Sequence, residues 1–167
     1  VVPSLGVPSN YKDRSFRGSD AEWLQALNTS TTLYIGNLSF YTSEEQILEL
    51  FSTIGEVKRI IMGLDRFNKS PCGFCFVEYH DHDDALAAVI HLNGTKLDER
   101  GIRVDLDPGY QQDRHLGRGK GGGQVRDYFR ADFDAGRGGW GALEKQRQGQ
   151  VYDDVRTVPQ GASSGAG

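Results

Sequence analysis

No stretch of this chain approaches the ~20 consecutive apolar residues that cross a bilayer, so a membrane-bound role is not expected. Cysteine is down to two residues, Cys72 and Cys75. Their C-x-x-C spacing lies in a strand-like run, where an offset of three sends the thiols to opposite faces and argues against a redox pair or a zinc site. The histidines, His80, His82, His91 and His115, show no ligand spacing and read as surface or loop residues. No nucleophile stands with a base at a useful spacing, so no enzymatic activity and no cofactor is expected. The opening VVPSLGVPSN lacks both a basic start and an apolar stretch, so no secretion signal is expected, and the missing Met suggests a trimmed start. The Asn37-Leu38-Ser39 sequon is accordingly a chance match.

Positive charge is also short overall, with a formal net charge of -4. The distribution is uneven. Residues 32–106 carry 7 Lys/Arg against 12 Asp/Glu, whereas residues 110–130 carry 5 against 2. An acidic domain with a basic tail attracts polyanions weakly by general electrostatics, so tight nucleic-acid binding would need a specific pocket and a local phosphate clamp. At 167 residues the chain has room for one ordinary core plus arms.

What is present is a regular alternation of strands and helices. Residues 1–31 are polar, with Tyr11 and Phe16 as isolated aromatics and a short helical signal from Ser19 or Asp20 through Trp23, Leu24 and Leu27. In TLYIGN (32–37), Leu33 and Ile35 face one side of a strand and Tyr34 the other. A helix follows, predicted to be capped by a Thr42/Glu45 box, striped by Ile47, Leu50, Phe51 and Ile54, and closed at Gly55. Strands are predicted over 57–62 and 72–79, a second helix from Asp81 to Asn93-Gly94 with Ala85, Ala88, Val89 and Leu92 on its stripe, and a last strand over 102–106. The Asp81, Asp83 and Asp84 cluster fits a helix N-terminus. The order βαββαβ is the split-βαβ (ferredoxin-like) α+β arrangement: a four-stranded antiparallel sheet with two helices on one face and N- and C-terminal extensions. The expected divisions are an arm (1–31), the sheet domain (32–107), a Gly/Arg-rich tail (108–147) that orders only on binding a partner, and a disordered end (148–167).

CGFCFVEY (72–79) and LYIGNL (33–38) resemble the octamer and hexamer of the RNA-recognition motif, in the right order and strand context. Period-two alternation puts Phe74 and Phe76 beside Tyr34 on the sheet face away from the helices, as a platform for bases. The octamer departs from the usual pattern at its first position, where Cys72 replaces a phosphate-meeting Lys or Arg.

Read together, YKDRSFRG (11–18), TLYIGNLSFYTSEEQI (32–47), CGFCFVEY and GGQVRDYFRADFDAGRGGWG (122–141) resemble the small subunit of the nuclear cap-binding complex, whose octamer also begins with Cys. The resemblance implies that Tyr11 and Tyr34 sandwich 7-methylguanine, whose methylation gives it a positive charge suited to a cation–π slot. It implies further that Phe74 and Phe76 belong to the cap site, that the stretch Arg103, Val104, Asp105, Leu106 and Asp107 lines the base, that Arg114 and Arg118 clamp the triphosphate bridge with Gln124 and Val125 as polar and backbone contacts, and that His115, Leu116 and Gly117 are part of the same cap-binding set. Arg126 and Phe129 would meet the next nucleotide. The family usually carries Trp where Leu106 stands and Tyr where Phe129 stands. The resemblance also implies a heterodimer with a large helical subunit, for which the helix-face and hinge surfaces and a Trp23-bearing arm are the expected docking sites, capped RNA as ligand, roles in pre-mRNA processing and RNA export, and a nuclear location with shuttling to the cytoplasm.

Two other readings stay open at this point. One is a general RNA-recognition protein that reads a short internal sequence in splicing or transport; the other is a module whose aromatics grip a Trp-bearing peptide. GRGKGG (117–122) satisfies G-x-G-x-x-G but neither follows a strand in a βαβ unit nor opens a helix, so a dinucleotide site is not expected.

Overall fold

A computed structural model of the chain describes residues 11–156, with side chains to 149. The expectations for VVPSLGVPSN, and for the end of the chain past 156, lie outside the described residues. The elements run α1 (Asp20–Leu27), β1 (Thr32–Gly36), α2 (Glu44–Ser52), β2 (Val57–Leu64), β3 (Pro71–Tyr79), α3 (His82–Leu92), β4 (Lys96–Leu97), β5 (Arg100–Gly101), β6 (Arg103–Asp107), α4 (Val125–Phe129) and α5 (Ala142–Arg156), with a 3₁₀ turn at Ala135–Arg137. The main sheet is antiparallel in the order β2-β3-β1-β6. This is the expected split-βαβ arrangement.

Strand alternation divides the molecule into two apolar layers. Leu33, Ile35, Cys75, Val77, Val104 and Leu106 point toward the helices and meet Ile47, Phe51, Ala85, Ala88 and Leu92 in the main core. The other face gathers Cys72, Phe74 and Phe76 with Tyr34, Phe40, Ile61 and Tyr110. The two thiols therefore do lie on opposite faces, and burial pushes Cys72 up to about 12 and Cys75 higher still, so both are protonated thiols at neutral pH. Among the described residues no group of His, Cys, Asp and Glu is placed to hold a metal, and no helix is long and apolar enough to cross a membrane.

Several boundaries differ from the sequence reading, each for a local reason. Ser43, not Thr42, caps α2, in a reciprocal box with Gln46. The Thr42 hydroxyl is drawn away to donate to Asp98 at 2.5 Å. The helix ends at Ser52 with Thr53 as its cap, ahead of Gly55. β2 runs on to Leu64 because irregularities at 57–59 and 62–64 let it stay paired with β3. The strand expected over 102–106 is shifted by one, and a β4–β5 hairpin precedes it, turning on Asp98 and Glu99 with φ of 51° and 63°. α1 carries a full capping box from Ser19 and Glu22, and Trp23 and Leu27 enter the main core. Trp23 is only 4% exposed, while its neighbour Leu24, at 51%, faces outward. α5 crosses the boundary drawn at 147 and continues to Arg156.

Candidate nucleic-acid interface

Register places one row of side chains across the outer face of the sheet. Ile61 pairs with Phe76, Phe76 with Tyr34, and Tyr34 with Asp105. The face is not open as expected. The tail crosses it: the Tyr110 ring sits 5.5 Å from Phe76, and Leu116 forms a parallel bridge to Leu64. Arg66 fastens the GRGKGG loop by donating to the carbonyls of Gly117 and Gly119 at 2.9 and 2.7 Å. Phe74 and Phe76 are consequently buried beneath chain rather than displayed to solvent.

One edge of this covered face opens into a cleft of about 480 Å³, lined by the arm and the tail. Tyr11 enters it from the arm, steadied by Trp23 at 5.8 Å, which itself meets Phe16 edge-on. Tyr11 lies parallel to Tyr34, with ring centroids 4.6 Å apart and planes 16° apart. Tyr34 is flanked on its own face by Phe74 at 5.8 Å and Phe76 at 5.9 Å. Burial first, then the neighbouring Asp107 carboxylate, holds the Tyr11 phenol well above its ordinary pKa; burial does the same for Tyr34. Both rings are therefore neutral and electron-rich at physiological pH.

Beneath the rings is a compact ionic lattice. Asp107 accepts from the Tyr11 hydroxyl at 2.7 Å and from Arg114 Nη1 and Nη2 at 2.6 and 2.8 Å. Asp13, two residues after Tyr11, accepts from Arg114 Nε at 2.7 Å and from Arg118 Nη1 at 2.6 Å. Burial alone would raise the Asp13 pKa, but the bonds from Arg118 and Ser15 outweigh it and hold the carboxyl well below its usual range. Burial likewise opposes the Arg114 charge, and the bonds and charge of Asp107 more than reverse it. Arg114 also lies 4.9 Å from the centre of the Phe76 ring.

Of the residues singled out from sequence, Tyr11, Tyr34, Phe74, Phe76, Arg114, Leu116, Gly117, Arg118, Gln124, Val125 and Arg126 are brought together around the cleft. Asp105 lies next to Tyr34 and accepts from Arg103 Nε at 2.7 Å. Val104 and Leu106 turn the other way, into the main core, so only their backbone is near the cleft side. The His115 ring is bonded to the Tyr110 hydroxyl at 2.7 Å, and Phe129 stands 64% exposed against Tyr128. Arg126 donates to Asn37 Oδ1 at 2.8 Å; burial and the nearby Arg137 charge lower its pKa. It has no carboxylate partner among the described residues.

Sequence reasoning missed Asp13, Arg137 and Asp127. Asp13 lies inside the quoted arm motif, and its spacing from Tyr11 was the available signal. Arg137 and Asp127 lie in the quoted tail motif, but nothing local marks them as partners.

The RNA recognition motif family matches residues 33–103. Among curated relatives, "Nuclear cap-binding protein subunit 2" of Ixodes scapularis is 60% identical over 139 residues, covering 83% of this chain and 91% of that protein. The proteins of the same name from Drosophila ananassae and Drosophila melanogaster are 59% and 58% identical, each over 83% of this chain and 90% of theirs. An alignment of 139 residues reaches well beyond the sheet domain, and identity of that level over it means that this chain belongs to the nuclear cap-binding protein subunit 2 family.

Proposed function

We infer that this chain captures the 7-methylguanosine cap at the 5′ end of RNA, taking the base between Tyr11 and Tyr34. The observation that carries the reading is the parallel pair itself: two neutral rings, one from the arm and one from β1, 4.6 Å apart at the mouth of a cleft. A base between them needs a centroid separation of about 7 Å, twice the ~3.5 Å contact of stacked carbon atoms. The arm ring is the one that moves, because Tyr34 is built into the sheet. A methylated, cationic purine gains from both rings at once. The negative charge of Asp105 and Asp107 favours that added charge, and the register of Asp105 with Tyr34 supports it as the acceptor for the guanine edge.

The triphosphate falls toward the basic tail. Arg118 and Arg126 line the cleft, and the backbone of 116–117 approaches it closely. Arg114, its side chain 11% exposed and held by both Asp13 and Asp107, serves chiefly to hold the floor, whereas Arg118, also bonded to Asp13, keeps 46% of its side chain exposed for phosphate. The second nucleotide meets Arg126 and the exposed Phe129. The sheet aromatics that would serve an internal RNA stretch are covered, which favours an end-binding role over sequence reading.

Exposed apolar residues stand on the helix side, Leu24 on α1, Leu48 on α2 and Ile90 on α3, and support docking of a large helical subunit there. The chain then works as the non-enzymatic small subunit of a nuclear heterodimer in pre-mRNA processing and export, shuttling to the cytoplasm, with arm and tail ordering as the cap enters. Competition tests this: a 7-methylated cap analogue displaces a labelled capped RNA, and an uncapped oligonucleotide of the same sequence does not. Equal displacement by both overturns the reading. Adding the large subunit tightens cap binding; equal affinity without it removes the partner from the account.

A further inference from the structure

Cys72 stands where RNA-recognition octamers usually carry a cation, yet a guanidinium reaches that end of β3 from the tail. Arg137 is 2% exposed and lies against the start of the strand. Its Nη1 donates to the carbonyls of Leu38 at 2.7 Å and Gly73 at 3.1 Å. Its Nε and Nη2 form a fork on Asp127 at 2.8 and 2.5 Å, and Phe40 lies 5.1 Å beneath the guanidinium. Gly73, with φ of 93°, leaves the room: a side chain there would collide with the Arg137 Nη1 and lie 2.9 Å from the Leu38 carbonyl. A buried guanidinium neutralised by Asp127 is not a phosphate site.

Besides a long bond from Nη2 to the Cys72 carbonyl at 3.4 Å, one more runs toward the tyrosine slot. Arg137 Nη2 donates to Gln124 Oε1 at 2.5 Å, and Gln124 Nε2 donates to the Tyr34 hydroxyl at 2.8 Å. Arginine can only donate, so it fixes which way the amide faces. The amide in turn makes the Tyr34 oxygen an acceptor and leaves the phenol hydrogen to point elsewhere. Gln124 and Tyr34 both line the cleft.

We propose that Arg137 is a positioning residue for the slot: by orienting Gln124 it holds the Tyr34 hydroxyl and ring, so that a competent slot forms only when the 122–141 segment is docked. The proposal rests on the cap reading for its consequence but not for its chemistry. Its first test uses no ligand. In the full chain with labelled tyrosine, the Tyr34 13Cζ resonance, which reports hydrogen bonding to the phenol, shifts in Arg137→Lys. It shifts equally in Gln124→Met, which leaves Arg137 its bonds to Asp127 and the strand carbonyls. An unmoved resonance in Gln124→Met overturns the proposal whether or not the lysine variant folds.

The second test is a cycle of affinities for 7-methylguanosine triphosphate. Loss of one buried hydrogen bond corresponds to about a fivefold weakening. Gln124→Met and Arg137→Lys each show it in the Tyr34 background and lose most of it in a Tyr34→Phe background, because the bond they act through is gone. Equal losses in both backgrounds mean that Arg137 only props up the tail, and the positioning role fails. If the unaltered chain does not prefer the methylated ligand, the cap reading fails instead, and the resonance result stands on its own.

Discussion

The Tyr11 hydroxyl donates to the Asp107 carboxylate at 2.7 Å, joining the arm to the last strand of the sheet across a sequence separation of 96. The same carboxylate takes both terminal nitrogens of Arg114, so arm, strand and tail meet at one buried anion. The pairing of the two tyrosine rings is thus a long-range event. A ring that is only loosely placed by its own flanking residues is brought into line by a charge lattice.

Tyr11→Phe separates the ring from its tether. The aromatic face stays and the bond to Asp107, made while the two rings are in contact, goes, so affinity for 7-methylguanosine triphosphate changes by no more than about fivefold. Tyr11→Ala removes the face as well and costs roughly 1–3 kcal/mol, about five- to 150-fold. Fluorescence titration of the two variants side by side checks the order; equal losses would mean that the ring face contributes nothing.

Asp13→Asn leaves two cations, Arg114 and Arg118, without part of their neutralising charge. Loss of a charged, buried partner costs about 1–3 kcal/mol. Thermal unfolding and amide exchange of the arm are the readouts, and exchange at 11–18 is expected to accelerate more than exchange in β1 or β3.

Acid has a related effect with a defined sign. The Asp13 pKa is lowered in the fold, so its stabilisation is complete above the ordinary carboxylate value of about 3.9 and is lost as pH falls below it toward the folded value. Trp23 packs against both Tyr11 and Phe16, so its fluorescence reports arm release. The change is expected below about pH 4 and is absent from Asp13→Asn.

Alkali acts in the opposite sense. Tyr11 and Tyr34 have raised pKa values, so their contributions are complete below the ordinary phenol value of about 10 and drain away as pH rises above it toward the folded values. Ultraviolet-detected tyrosine ionisation above about pH 10 is expected to proceed in two stages, exposed rings first, then the slot pair as the arm detaches, together with Tyr79, whose pKa burial in the main core also raises. A single stage at the ordinary phenol value would contradict the burial of the pair.

Gly73→Ala tests the notch that receives Arg137. Its positive φ and the nearby guanidinium and Leu38 carbonyl make an added methyl costly, by roughly 1–3 kcal/mol for the backbone alone. Amide exchange is expected to show the tail loosening over 124–141 before the sheet does.

Local periodicity carried most of the fold. Alternation in β1 and β3 placed Tyr34, Phe74 and Phe76 on one face, and the i, i+3, i+4 stripe placed Ile47 and Phe51 in the core. Adjacent cap candidates were harder: Thr42 with Glu45 and Ser43 with Gln46 both satisfy the box, and Asp98, from a distant turn, decides between them. β4 and β5 are two residues each, too short for any period to register. The site divides in the same way. Strand residues were legible because their neighbours set their faces. Asp13 meets Arg114 across a separation of 101 and Arg137 meets the Leu38 carbonyl across 99, pairings that only the folded chain brings about. The covering of Phe76 by Tyr110 was hidden for the same reason: a Gly-rich tail has no stripe of its own and takes its place from the sheet beneath it.

The most direct measurement is the ratio of affinities for 7-methylguanosine triphosphate and GTP, titrated on the full chain by fluorescence. Two rings closing on a cationic purine gain about 1–2 kcal/mol of cation–π attraction when desolvated, so a preference of about five- to thirtyfold for the methylated nucleotide is expected, shrinking sharply in Tyr34→Ala. Equal affinities for the two nucleotides would contradict the account.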